Sequence, residues 1–170
     1  PASYSALTDG SHTFSVKATD TAGNEDPTPA SYTWTIDTNA PETTITSKPP
    51  NPSNSASPSF SFSSNQTGVT FQCQLDTGSY TTCTSPQGYT GITEGSHTFS
   101  VKATDAAGNT DASPASYTWT IDNTKPDTTI TVKPSSPTTV TSASFSFTST
   151  KTPSTFQCQL DSGSYTVCTS

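Results

Sequence analysis

Arginine and methionine are missing from the 170 residues, and charged side chains make up only 11% of them. The six basic residues are lysines scattered along a chain of net charge -7. Nucleic-acid binding needs clustered Lys or Arg against phosphate, so that class of partner is excluded. Hydrophobic residues reach only 28%, and no apolar run approaches the roughly 18 residues of a membrane span. Membrane insertion is excluded on that ground. A signal-peptide pattern is absent too. Together with the missing methionine, this leads us to expect an internal or processed portion of a longer polypeptide. No stretch shows helical periodicity.

So little apolar and charged material raises the question of disorder. Disordered chains usually carry high charge or lack aromatics, whereas here Phe, Tyr and Trp recur at fixed offsets. Ser and Thr fill most polar positions, and β-branched Thr suits a strand face turned to water. The composition reads as thin, two-layered β-structure with a small core.

An internal repeat sets the organisation. His12 recurs as His97, Trp34 as Trp119 and Cys73 as Cys158, each 85 residues on, and the segments at residues 10–20 and 29–37 return unchanged at 95–105 and 114–122. About two-thirds of aligned positions are identical without an insertion. The segments 37–41 and 122–126 each follow a Trp-containing strand and end in proline, which stops a ladder. The expected division is the C-terminal half of a repeat over 1–38, a complete sandwich over 39–124, and the N-terminal half of the next over 125–170. Three isolated strands are marginal at best. The end of one copy is therefore expected to be continued by the start of another, through covalent continuity or strand exchange.

Within the central copy, alternation marks the strands. These fall at 43–46, 59–63 with Phe60 and Phe62 on one face, and 71–75 with Phe71, Cys73 and Leu75 inward. A turn over 76–79 follows, where Gly78 is expected to take positive φ. Strands at 80–83, near Tyr89, at 96–105 and at 116–122 complete about seven strands per 85-residue repeat. The fold class is all-β, an antiparallel sandwich.

The run Gly-x-His-Thr-Phe-x-Val-x-Ala-x-Asp-x-Ala-Gly-Asn, followed by Pro-Ala-Ser-x-Thr-Trp-Thr-Ile-Asp, resembles the bacterial immunoglobulin-like repeats of large surface and adhesin-type proteins. The Phe-x-Cys-x-Leu-Asp-x-Gly-x-Tyr-x-x-Cys hairpin fits the same family, and the resemblance covers both copies. It implies tandem Ig-like or fibronectin-III-like sandwiches outside the cell, on a bacterial surface or appendage. The function it implies is a structural repeat of a filament or stalk, with copies of itself as partners, end to end. The alternatives are an adhesin module binding a glycan or protein through loops 63–70 and 105–113, and a non-catalytic spacer of a secreted enzyme.

Cys73, Cys83, Cys158 and Cys168 allow three connectivities. The turn at 76–79 favours pairing within each repeat. A simple loop would place Cys73 opposite residue 82, so a five-residue loop or bulge is expected. Zinc is the weaker reading, since no tight Cys-x-x-Cys pair exists and each copy has one histidine. Disulfides imply an oxidising compartment, hence secretion.

No catalytic residue and no resident cofactor are expected. His12 or His97 with Asp20 or Asp105 invites a Ser-His-Asp reading, but eight residues of strand separate them, roughly 26 Å at about 3.3 Å each. The histidine reads instead as a cap on the core edge. Asp105, Asn109 and Asp111, with Asp20, Asn24 and Asp26 in the other copy, offer oxygens for calcium. The competing reading is a hairpin whose Gly and Asn adopt left-handed conformations and whose Asp caps amides. Tyr89, Tyr117 and Trp119 suggest a sugar platform, although alternation places Tyr117 and Trp119 inward. Asn65-Gln-Thr67 is a glycosylation sequon on a loop, with Thr150 in its place in the other copy.

Overall fold

The computed structural model describes all residues, 1–170, and every element is a strand. The chain forms two compact units, residues 1–123 and 124–170.

The first unit opens with a hairpin of β1 (Gly10–Val16) and β2 (Ala30–Ile36), antiparallel with His12 opposite Trp34. The complete copy follows as β3 (Thr43–Ser47), β4 (Ser59–Ser64), β5 (Thr70–Leu75), β6 (Thr81–Cys83), β7 (Gln87–Gly88), β8 (Gly95–Thr104) and β9 (Ala115–Ile121). Its two sheets run β3-β4-β7 and β6-β5-β8-β9. Period-2 alternation sends Phe60 and Phe62 of β4 against Phe99 and Val101 of β8 and Trp119 and Ile121 of β9, all buried. The Phe60 and Phe99 rings stack at 4.2 Å, and Trp119 meets Phe60 edge-on at 5.0 Å. Aromatic contacts of this kind add to area burial, which matters where so few apolar side chains exist.

Polar residues complete the closure. Residues 51–53 run beside β9: Ser53 N–H donates to the Thr120 carbonyl, and Ser53 O accepts from Asp122 N–H, both at 2.9 Å. At the opposite end the buried Asp111 accepts from Thr43 N–H at 3.1 Å and lies 2.6 Å from the Thr43 hydroxyl. Thr43 Oγ1 in turn accepts from Ala115 N–H. This cluster ties β3 of one sheet to the β8–β9 end of the other, and it leaves the buried carboxylate partnered as burial demands.

The second unit holds two small sheets. One pairs β10 (Thr128–Val132) with β11 (Ser146–Ser149), the other β12 (Phe156–Cys158) with β13 (Thr166–Cys168). Ile130 and Val132 of β10 are more than half exposed.

Candidate functional site

The loops that sequence reading singled out for calcium are built from backbone capping. After β8, Asp105 N–H bonds the Asn109 carbonyl at 3.0 Å, and Gly108 takes φ 95°. The Asp105 carboxylate accepts from the amides of Ala107 and Asn109 and from the Asn109 side chain, each at 2.9 Å. The Asn109 side-chain bond, with the amides behind it, holds the Asp105 carboxyl below its ordinary value. Asp20 repeats the arrangement with Ala22 and Asn24, and Asn24 lowers its pKa in the same way. The left-handed residues here are Gly108 and Gly23; Asn109 and Asn24 do not share that conformation. Asp111 and Asp26 serve different amides, those of Ser113 and Thr28, both at 2.8 Å. No three His, Cys, Asp or Glu side chains are grouped so as to hold a metal ion.

The same loop grips the joint between the N-terminal hairpin and the complete copy. Asn109 spends its second side-chain N–H on the Asp37 carbonyl, at 3.0 Å. Gln66 donates to the Asn39 carbonyl at 2.9 Å. From the hairpin side, Asp9 accepts from the Thr38 amide and hydroxyl and, at 2.6 Å, from the Asn39 side chain. Pro41 is fully buried, and Glu42 exchanges bonds with Asn65. A five-residue joint is thus held from both sides. Nothing in the local sequence marks Asp9 or Gln66 for this task, since two strands separate each from its partner.

His97 has a carboxylate partner, and it is neither Asp20 nor Asp105. Asp76, in the β5–β6 turn, places Oδ2 2.9 Å from Nδ1, while Oδ1 accepts from Thr98 N–H at 2.8 Å. His97 Nε2 lies 2.9 Å from the Thr93 carbonyl. Both partners are acceptors, so in the protonated ring both nitrogens donate and no lone pair is left for a nucleophile. The hydrogen bond with Asp76 raises the His97 pKa, against opposition from burial. Burial pushes the Asp76 carboxyl up, but His97 and the Thr98 amide outweigh it and the pKa falls below its ordinary value. Sequence reading missed Asp76 because β5 and β8 are far apart in the chain. Their pairing, Leu75 opposite Phe99, brings Asp76 and His97 together.

Disulfides join Cys73 to Cys83 and Cys158 to Cys168, with Cα–Cα distances of 5.7 and 5.8 Å. The expected register is corrected: Cys73 lies opposite Thr81, and Cys83 opposite Phe71. The bridge therefore runs diagonally on one face, and no extra loop residue is required. The positive φ belongs to Asp76, at 53°, and not to Gly78. Glycine stands at 78 because a Cβ would sit 3.1 Å from the Leu75 carbonyl oxygen.

The aromatic platform dissolves in the complete copy. Trp119 is fully buried, and Tyr117 stacks on it while donating to the Pro49 carbonyl at 3.1 Å.

Two facing antiparallel sheets with a Trp-centred core and a hairpin disulfide define an immunoglobulin-like sandwich. The family model for the bacterial Ig-like domain matches residues 2–38 and 40–123, and the chain belongs to that family. No curated protein matches it.

Proposed function

We propose that this chain is a load-bearing segment of an extracellular filament or stalk on a bacterial surface, in which Ig-like repeats follow one another through clamped joints. The joint over residues 37–41 carries this reading: Asp9 holds it from the hairpin side, and Asn109 and Gln66 hold it from the next repeat. Repeats that share about two-thirds of their positions and follow one another through short joints build a quasi-one-dimensional array. The hairpin disulfides suit an oxidising exterior. The calcium candidates Asp105, Asn109 and Asp111 serve this architecture through hydrogen bonds.

Electron microscopy of the native parent polypeptide tests the reading. Straight or gently curved rods with a one-repeat periodicity are expected. Compact particles, or beads swinging freely about every joint, would contradict it.

A further inference from the structure

Asn65, Gln66 and Thr67 lie on the loop from β4 to β5, and the repeat supplies a direct comparison for them. Residues 64–66 of the complete copy correspond to 149–151 of the second unit. Both loops open with the same bond, from the Gln66 amide to Ser64 Oγ and from the Lys151 amide to Ser149 Oγ, each at 3.2 Å. Both also tie their second residue to the one just ahead of β3 or β10. The Asn65 amide donates to the Glu42 carbonyl at 3.2 Å, as the Thr150 amide donates to the Asp127 carbonyl at 2.9 Å.

The side chain at this position returns the bond. Asn65 Oδ1 accepts from the Glu42 amide at 2.9 Å, and Thr150 Oγ1 accepts from the Asp127 amide at 2.9 Å. The fold therefore asks only for an acceptor here, and a hydroxyl serves as well as a carboxamide oxygen. Because the Glu42 N–H is a donor, the oxygen of the Asn65 side chain is the atom turned toward it. The Ser64 hydroxyl bonds the same oxygen, at 3.4 Å. Nδ2 is left with no partner in the chain. Asn65 and Thr67 are both exposed, and Gly68, at φ 72°, carries the loop on to β5.

We propose that Asn65 carries an N-linked sugar in the native polypeptide. Asn-x-Thr on an exposed loop is the acceptor pattern for that modification, and the geometry leaves free the one atom it uses. Nδ2 attacks the anomeric carbon of a phosphate-activated sugar. The C–N bond forms while the anomeric C–O bond breaks, its electron pair leaving on phosphate, and one amide proton passes to a base of the transferase. Oδ1 is not consumed, so the bond from the Glu42 amide survives. Thr150 has no amide nitrogen, so the second unit is not modified in this way and the sugar marks one repeat but not its neighbour. It adjoins the joint, since Gln66, the next residue, holds the Asn39 carbonyl at 2.9 Å. The inference stands on this loop alone and is independent of the stalk reading.

Mass spectrometry of peptides from the native parent polypeptide tests it. Electron-transfer fragmentation should place a hexose, an N-acetylhexosamine or a longer glycan on Asn65. A single sugar would indicate a nucleotide-activated donor and a preassembled oligosaccharide a lipid-linked one, and either supports the proposal. In the native host, Thr67→Ala should abolish the mass increment although Asn65 is still present. Asn65→Thr, which installs the residue found at 150, should abolish it with β-sheet circular dichroism retained. Bare Asn65 in the native polypeptide would overturn the proposal. So would sugar carried only on serine or threonine hydroxyls, or sugar that stays on Asn65 after Thr67→Ala.

Discussion

Asp76 occupies a left-handed backbone position that Asp and Asn tolerate better than most residues, and from there it reaches His97 at 2.9 Å. The pair makes stability depend on pH with a definite sign. The raised His97 pKa gives a contribution fully present below the ordinary value of 6.5 and lost as pH rises through the folded value. The lowered Asp76 pKa gives one present above 3.8 and lost as pH falls through its folded value. The stabilisation is therefore greatest between about pH 3.8 and 6.5. Thermal unfolding of the intact chain and of Asp76→Asn, compared at each pH, should show their largest Tm difference inside that window and a shrinking one above it. A constant difference would mean that the ion pair contributes nothing. The Asn variant retains the backbone preference, so the comparison isolates charge.

At the level of elements, strand positions were legible because each strand alternates. His97, Phe99, Val101 and Ala103 share one face of β8, and three of the four are buried. The disulfide pairing was legible from the hairpin, but its register was not. Register follows the turn, and the turn depends on a left-handed aspartate that the presence of glycine disguises. The side-by-side placement of β5 and β8 was also hidden, since a sandwich pairs strands distant in sequence, and the Asp76–His97 contact was hidden with it. The bridge closes a loop of sequence separation 10, worth about 2–3 kcal/mol by loop-closure entropy. In a thin core this is a large share of the stability. Replacing Cys73 and Cys83 together by Ser should lower the urea unfolding free energy of the complete copy by about that amount, with β-sheet circular dichroism retained. An unchanged midpoint would show that the hairpin is held by its ladder alone.

Across the whole molecule, the repeat period and the linker prolines were visible in the sequence, whereas the grip on the joint was not. Asp9, Gln66 and Asn109 act on residues 37–39 from separate loops, and such contacts leave no local pattern. Their consequence is mechanical, because a joint whose Thr38 and Asn39 amides and Asp37 and Asn39 carbonyls are engaged transmits orientation from one repeat to the next. Backbone 15N relaxation at Thr38, Asn39 and Ala40 measures this directly. The account predicts order parameters near 0.85, equal to those of β8, falling towards 0.6 when Asp9, Gln66 and Asn109 are replaced together by Ala. Values below about 0.6 in the unaltered chain would contradict the clamped joint and the stalk built on it.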